Sequence, residues 1–194
     1  MRLLLWLLIA LAIAGSAALL LIRRGTVNPP QASGGAHFGG AFTLVGADGK
    51  PFSSEKLLGK PYALYFGFTR CGDVCPTTLQ RLVKLRQAAG GEDRFSIVFI
   101  TIDPAFDGPK QVGQYAGLFN SPIVGLTGSA AQIAQVKKQY GIYAQPQPHA
   151  KAGEEMMHTA TVLLFDRGGN LVGTITPDEP DSSALETLKQ LTSV

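Results

Sequence analysis

The sequence predicts an α/β domain in which helices cover both faces of a mixed β-sheet, forming a three-layer sandwich. Two observations lead to this prediction. Apolar strands alternate with amphipathic helices through the middle of the chain, and β-hairpin patterns stand at the beginning and near the end of this region. Region 41–194 is long enough for one such domain with its own hydrophobic core.

Local signals place the elements of this domain along the chain. The predicted elements are, in order, a hairpin over 42–52, a strand over 62–68, a helix over 77–88, a strand over 95–102, a helix over 110–119, a helix over 129–140, a hairpin over 161–175 and a helix over 182–191. Ser129 and Gln132 form a capping box, and Gly141 is suited to close the helix that they open. A polar loop is expected from Gln145 to Met157.

Both cysteines of the chain, Cys71 and Cys75, lie at the turn between the first apolar strand and its helix. Pro76 suits the first helical position, where its missing N–H would be unpaired anyway, and it biases Cys75 away from helical geometry. We therefore expect Cys75 near the N-cap, with its sulfur facing unpaired N–H groups that favour the thiolate. Because a thiolate is both a nucleophile and a soft-metal ligand, the pair indicates metal binding or disulfide exchange. A dithiol on this turn makes the predicted fold thioredoxin-like.

Two structural roles for the cysteines are less favoured by the sequence. A disulfide between Cys71 and Cys75 would close a very short loop, and such a bridge removes little entropy from the unfolded chain. A structural zinc site needs four ligands, commonly from two cysteine-rich clusters, and the sequence contains one cluster. A reactive or metal-binding dithiol is the better interpretation.

The N-terminal segment has the composition of a membrane span. Leu3–Ile22 is a run of 20 residues without charge, which is long enough to cross a bilayer as a helix. A cleavable signal peptide would have a shorter apolar core; residues 14–17 are small enough for cleavage, but the apolar run continues beyond them. We therefore predict an uncleaved transmembrane anchor at 1–24. The flanking arginines leave its orientation undecided.

Residues 25–40 are rich in glycine and proline and lack apolar periodicity, so they predict a flexible linker in which His37 is solvated.

The chain carries a formal net charge of +3. Without the three arginines that flank the apolar run, 14 basic residues remain against 14 acidic ones, and no basic cluster is visible. This balance excludes nucleic acid as an expected partner.

His158 is the third candidate site residue. It lies at the end of the polar loop, just before a strand expected beside the cysteine strand. Two thiolates and one imidazole form a trigonal set that suits Cu(I), which prefers few and soft ligands. Met156 and Met157 are candidates for additional soft ligands, although methionine more often fills a core. His149, which follows the proline- and glutamine-rich run Gln145–Pro148, is expected to be solvated.

Four sequence blocks in this order resemble the SCO/SenC family of membrane-anchored copper proteins that assist cytochrome c oxidase assembly. The blocks are Gly67–Pro76, Thr101–Pro104, Gly125–Gly128 with Gln139–Tyr143, and His158–Ala160. The resemblance runs from about Phe38 to the C-terminus, and it implies that Cys71, Cys75 and His158 bind copper as Cu(I), Cu(II) or both.

The same resemblance implies a location and partners. It places the domain in the periplasm, on a single-pass anchor in a bacterial inner membrane, or in the intermembrane space if the protein is mitochondrial. The implied partners are the copper-site subunit of cytochrome c oxidase and a copper donor protein. This implied location supplies the orientation that the flanking arginines left undecided.

Two positions depart from the family pattern. Many members have proline after the first cysteine, where this chain has Gly72, and aspartate before the histidine, where it has Met157. Neither change removes a ligand. Loss of the aspartate removes an oxygen donor beside His158 and is expected to weaken Cu(II) binding more than Cu(I) binding. Asp73 and Asp103 remain as nearby acidic residues.

Two functions therefore follow from the sequence. The first is a copper metallochaperone for oxidase assembly. The alternative is a thiol-disulfide oxidoreductase that keeps the copper-site cysteines of the oxidase, or another extracytoplasmic dithiol, reduced. Thioredoxin-type enzymes separate their cysteines by two residues, whereas three residues separate them here, a wider spacing that suits a metal. A peroxiredoxin-like peroxidase would share the fold, but nothing in the cysteine spacing demands it.

Overall fold

The computed structural model describes residues 38–146 and 156–193. Its strands are β1 (Thr43–Gly46), β2 (Pro51–Ser53), β3 (Tyr62–Gly67), β4 (Ser96–Thr101), β5 (Ile123–Thr127), β6 (Ala144–Pro146), β7 (Met156–His158), β8 (Val162–Phe165) and β9 (Leu171–Ile175). Its helices are α1 (Val74–Ala88), α2 (Pro109–Gly117), α3 (Ala130–Gln139) and α4 (Asp181–Ser193), with a short 3-10 helix at Ser54–Leu57. The predicted span Leu3–Ile22 lies outside the described residues. Among the helices that are described, none is long and apolar enough to cross a membrane.

Seven strands form one sheet in the order β2-β1-β5-β4-β3-β8-β9. The three central strands β5, β4 and β3 run parallel, and the strands at either side pair antiparallel, so the prediction of a mixed sheet is confirmed. Every residue of β3 is buried, as is every residue of β4 except the half-buried Ser96. Strands buried on both faces require a layer of cover on each side.

The helices provide this cover. Helix α1 joins β3 to β4 and α2 joins β4 to β5 in the same direction across the sheet, so right-handed crossovers place both helices on one face. On that face, Phe99 contacts Tyr115 of α2 at a ring-centroid distance of 5.2 Å, and α4 packs on α1. On the other face, Phe66 contacts Tyr140, which follows α3, at 5.8 Å. The architecture is a three-layer sandwich, as predicted.

Strand β5 was not predicted, and its glycine explains why. Gly125 in the middle of the strand lowers the strand propensity of this segment. In the structure a Cβ atom at Gly125 would lie 2.7 Å from the carbonyl oxygen of Val112 in α2. The glycine therefore allows α2 to pack closely against the sheet, a requirement that sequence periodicity does not reveal.

A second sheet was also missed. Strands β6 and β7 pair antiparallel, with Ala144 opposite His158 and Pro146 opposite Met156. Each strand has only three residues, too few for an alternating pattern to stand out in the sequence. The prediction of one continuous polar loop over 145–157 was therefore wrong at its two ends, and His158 belongs to a strand rather than to a loop.

The last residues of the predicted linker contact the domain. Phe38 packs edge-on against Tyr140 with a ring-centroid distance of 6.4 Å, and the Tyr140 hydroxyl donates a hydrogen bond of 2.8 Å to the carbonyl oxygen of Gly40. The backbone N–H of Gly39 donates to the carbonyl oxygen of Gln139 at 2.9 Å. These contacts attach Phe38–Gly40 to the C-terminal end of α3.

Candidate metal centre

A buried carboxylate holds the turn that leads from β3 to the cysteines. Asp107 is almost fully buried and accepts hydrogen bonds from the backbone N–H of Thr69 at 2.9 Å and from the Thr101 hydroxyl at 2.6 Å. The Thr69 hydroxyl donates to the second oxygen of the same carboxylate. Because Thr69 precedes Cys71 by two residues, Asp107 ties the cysteine turn to the end of β4. Sequence reasoning missed Asp107, since no local pattern links residues 38 positions apart.

Helix α1 begins at Val74, which makes Cys75 the second helical residue and Pro76 the third. The prediction of Pro76 at the first helical position was wrong by two residues. The first four N–H groups of a helix have no partner within it, so proline is also tolerated at the third position. The earlier start brings Cys75 into the first turn of α1.

Cys75 lies against the sheet and is fully buried. A Cβ atom on Gly67, the last residue of β3, would lie 3.0 Å from the Cys75 sulfur and 3.0 Å from the Phe99 ring. Contacts this short would force one of these groups to move. Gly67 therefore leaves the space that the Cys75 sulfur occupies.

Cys71 is half-buried, and its sulfur accepts the hydrogen bond that was expected at Cys75. The backbone N–H of Cys75 donates to the Cys71 Sγ at 3.3 Å. Asp73, the N-cap residue of α1, makes no hydrogen bond to the helix with its side chain. The Cys71 sulfur thus satisfies an N–H group at the helix N-terminus, the role usually taken by the side chain of an N-cap residue.

The two thiols differ strongly in acidity. The pKa of Cys71 is lowered to about 4, chiefly by a hydrogen bond from the Cys75 thiol and also by His158 and backbone N–H groups, against the opposing effect of burial. The same hydrogen bond and burial raise the pKa of Cys75. The first proton is therefore lost from Cys71, and the Cys75 thiol stabilises the resulting thiolate as a donor. This order reverses the expectation that Cys75 would carry the favoured thiolate.

We expect the alkylation rate of Cys71 in the reduced protein to stay nearly constant from pH 8 to about pH 5, because the reactive thiolate persists above its lowered pKa of about 4. An ordinary thiol with a pKa of about 8.5 would lose about tenfold in rate for each pH unit below that value. Iodoacetamide labelling followed by peptide mass spectrometry measures the rate at each cysteine, with urea-unfolded protein as the control. A tenfold loss per pH unit in the folded protein would contradict the assignment.

His158 is positioned by the pairing of β7 with β6. The backbone N–H of Thr159 donates to the carbonyl oxygen of Tyr143 at 3.0 Å and continues this pairing. The His158 Nδ1 lies 2.9 Å from the carbonyl oxygen of Thr159. Since a carbonyl oxygen only accepts, Nδ1 carries the proton of this bond and Nε2 presents its lone pair. Nε2 lies 3.5 Å from the Cys75 sulfur, so the imidazole faces the dithiol.

The structure brings the three predicted site residues together. The Cys71 and Cys75 sulfurs and one ring nitrogen of His158 all lie within 4.8 Å of one another. Ligand atoms at ordinary bond lengths around one ion are separated by roughly 3.5–4 Å. Only a small contraction is therefore needed to bind an ion, and two sulfurs with one imidazole nitrogen match the preference of Cu(I) for few and soft ligands.

The other candidate ligands differ in position. Met156 and His158 share one face of β7, whereas Met157 points to the opposite face and is half-exposed. Asp103 forms an ion pair of 2.7 Å with Arg70, whose guanidinium also stacks on the Phe106 ring. Neither Asp73 nor Asp103 belongs to the cluster of three ligand groups found in the described part of the chain. The positions of His37 and His149 lie outside the described residues.

A thioredoxin-like sheet, a dithiol on the strand-to-helix turn and a facing histidine define a class of thioredoxin-like proteins with a two-cysteine, one-histidine site. Within this class, the chain belongs to the SCO1/SenC family, whose sequence model matches residues 30–193. Mitochondrial protein SCO2 of Saccharomyces cerevisiae is 34% identical over 164 residues, which cover 82% of this chain and 54% of that protein.

Solved structures agree with this assignment. The structure of Bradyrhizobium japonicum ScoI with copper bound has a TM-score of 0.71 and 35% identity, and the match covers 79% of this chain and 99% of that one. Arabidopsis thaliana ScoI with copper bound has a TM-score of 0.74 and 30% identity, covering 79% and 96%. The chain spans about half the length of the curated relatives it matches, with 44% to 66% of three of them covered.

Proposed function

We propose that this protein is a copper metallochaperone that carries a copper ion on Cys71, Cys75 and His158 and supplies it to the copper centre of cytochrome c oxidase. The observation that carries this proposal is the convergence of two sulfurs and one imidazole nitrogen within 4.8 Å. Two ScoI relatives were solved with copper bound. The resemblance to SCO/SenC proteins, which assist oxidase assembly, supports the copper-site subunit as acceptor and a separate protein as copper donor.

The unequal exposure of the two cysteines suits a carrier that must release its cargo. Cys75 is fully buried, whereas Cys71 is only half-buried at the surface. An incoming thiolate of an acceptor can therefore approach copper from the side of Cys71 while Cys75 still holds it. Such stepwise exchange of ligands keeps the ion bound to sulfur throughout the transfer.

Copper analysis of the whole reduced chain tests this proposal. We expect one copper ion per chain after loading with Cu(I) and removal of excess metal on a desalting column. The oxidised chain is the control, because a disulfide between Cys71 and Cys75 removes both thiolates and should prevent loading. Equal copper content in the reduced and oxidised chains would show that the dithiol is not the site.

One observation favours a second candidate function, thiol-disulfide exchange. A half-exposed thiolate at Cys71 beside a buried, protonated Cys75 is the arrangement in which one thiol attacks and the other resolves. The Cys71 thiolate would attack a substrate disulfide, releasing one substrate thiolate and forming a mixed disulfide. Cys75 would then lose its proton and displace the second substrate thiolate. The protein pair would end oxidised and the substrate pair reduced, which fits the copper-site cysteines of the oxidase as substrate.

We further propose that region 1–24 is an uncleaved single-pass anchor, that 25–40 links it to the domain, and that domain 41–194 lies outside the cytoplasm. The uncharged run Leu3–Ile22 supports the anchor. We expect the protein to stay in the membrane pellet after an alkaline carbonate wash and to be released by detergent. A soluble mature chain that begins near Ala18 would show that the segment is a cleaved signal peptide.

A further inference from the structure

The Tyr65 side chain carries a buried hydroxyl group close to the candidate metal centre. Tyr65 is fully buried in β3, and its hydroxyl oxygen has no hydrogen-bond partner among the described residues. Buried polar groups in native proteins almost always have a partner, so each exception calls for a physical explanation. A partner that forms only in another state of the protein is one such explanation.

The Tyr65 ring and the Cys75 sulfur flank the same gap in the structure. A Cβ atom built on Gly67 would lie 3.0 Å from the Cys75 Sγ and 3.2 Å from Cε1 of Tyr65. The Tyr65 ring therefore borders the Cys75 sulfur, and in this structure its hydroxyl makes no hydrogen bond to that sulfur.

Metal binding changes what the Cys75 sulfur can accept. A neutral thiol is a weak acceptor, so the Tyr65 hydroxyl gains little by donating to it. When a metal ion binds, both sulfurs are thiolates, and the Cys75 sulfur becomes an anionic acceptor for a charge-assisted hydrogen bond.

We propose that Tyr65 is a positioning residue whose hydroxyl donates a hydrogen bond to the Cys75 thiolate in the copper-loaded protein and favours Cu(I) over Cu(II). This inference rests on the proposed function, because it requires copper at Cys75. A hydrogen bond withdraws electron density from the sulfur, and hydrogen bonding around a cysteine ligand tunes the potential of a copper site. Cu(II) depends more on donation by the thiolate than Cu(I), so the hydrogen bond weakens Cu(II) binding more.

Tyr115 is the alternative donor, and the contacts favour Tyr65. The Tyr115 hydroxyl is also buried without a partner, and burial followed by the charges of Cys75 and Cys71 raises its pKa. Its ring packs against Phe99 and Phe119, whereas the Tyr65 ring borders the same gap as the Cys75 sulfur. Tyr65 is therefore the tyrosine placed to donate to that sulfur.

The substitutions Tyr65→Phe and Tyr62→Phe test this inference in the whole chain. Tyr62 is a matched control because it is a buried tyrosine of the same strand that faces the opposite side of the sheet, where it stacks on Phe165 at 4.8 Å. The measurements are copper stoichiometry, the thiolate-to-Cu(II) charge-transfer band, and the ratio of Cu(I) to Cu(II) affinity obtained with competing chelators.

We expect one copper ion per chain in the wild type and in both variants. Tyr65→Phe should move the charge-transfer band to longer wavelength and lower the Cu(I) to Cu(II) affinity ratio about tenfold, the effect of a hydrogen bond to a charged group. Tyr62→Phe should change neither. The melting temperature of metal-free Tyr65→Phe should not fall, since the lost hydroxyl has no partner in that state.

Three outcomes would overturn the inference. An unchanged band and ratio in Tyr65→Phe would show that the hydroxyl does not act on copper, while the proposed function would stand. Equal shifts in Tyr62→Phe would show that the effect does not depend on the side of the sheet that faces Cys75. Absence of copper from the wild-type chain would overturn the proposed function and this inference together.

Discussion

Copper binding is expected to be lost in Cys75→Ala, with an affinity for Cu(I) at least about a hundredfold below that of the wild type. Outer-shell groups of metal sites contribute about ten- to hundredfold, and a direct ligand contributes more. The variant keeps one thiolate, Cys71, and the His158 imidazole, a pair that holds Cu(I) poorly. Titration of the reduced chain against a Cu(I) chelator measures the affinity.

Cys71→Ala should lose copper to a similar extent. Equal losses in the two variants would show that both cysteines bind the same ion, whereas a loss in only one would show that a single cysteine holds it. A control for folding is necessary because Cys75 belongs to the hydrophobic core. Truncation of a buried side chain to alanine opens a small cavity, so we expect a lower melting temperature with an intact cooperative transition. One copper ion per chain in a folded Cys75→Ala variant would contradict the assignment of Cys71, Cys75 and His158 as the three copper ligands.

His158→Ala is expected to separate the two candidate functions. We expect it to fail to restore cytochrome c oxidase activity in cells that lack this protein, because the copper site loses one of its three ligands. Its dithiol reduction potential in vitro should remain close to that of the wild type. Disulfide exchange needs Cys71 and Cys75, and both remain in this variant.

Met157→Leu is the matched control for His158→Ala. Met157 precedes the histidine on β7, but its half-exposed side chain points to the opposite face of the strand. We expect Met157→Leu to bind copper and to restore the oxidase. If His158→Ala restored the oxidase activity at ordinary copper supply, the copper-transfer function would be contradicted and thiol-disulfide exchange would be favoured instead.

Much of the scaffold was predictable because its signals are local. The apolar run of β3, the helical spacing in α1 and the capping box at Ser129 each depend on residues within one element, and the structure confirms all three. The mixed sheet followed from the order of these elements. The three candidate ligands were also found in the sequence, since their residue types and family blocks stand out without any knowledge of distances.

Very short strands and a strand that contains glycine were less predictable. Strand β5 was missed because Gly125 weakens its pattern, and that glycine is explained only by the close approach of the Val112 carbonyl oxygen. Strands β6 and β7 were missed because three residues do not establish a period. These pairings depend on tertiary contacts, which overrode weak local propensity.

The sequence by itself determined that both cysteines of this protein lie on the first strand-to-helix turn and that a histidine follows a polar segment. Only the tertiary structure decided which sulfur accepts a hydrogen bond from the N-terminus of α1. The sequence predicted the Cys75 sulfur, but because α1 begins at Val74, the N–H of Cys75 donates to the Cys71 sulfur. It also decided that Asp107 holds the turn and that His158 faces the thiols. The physical reason is that the Asp107 and His158 contacts join residues 38 and 83 positions apart, and their geometry arises when the sheet and helices pack together. The bond between Cys75 and Cys71 is local, but it depends on the residue at which α1 begins.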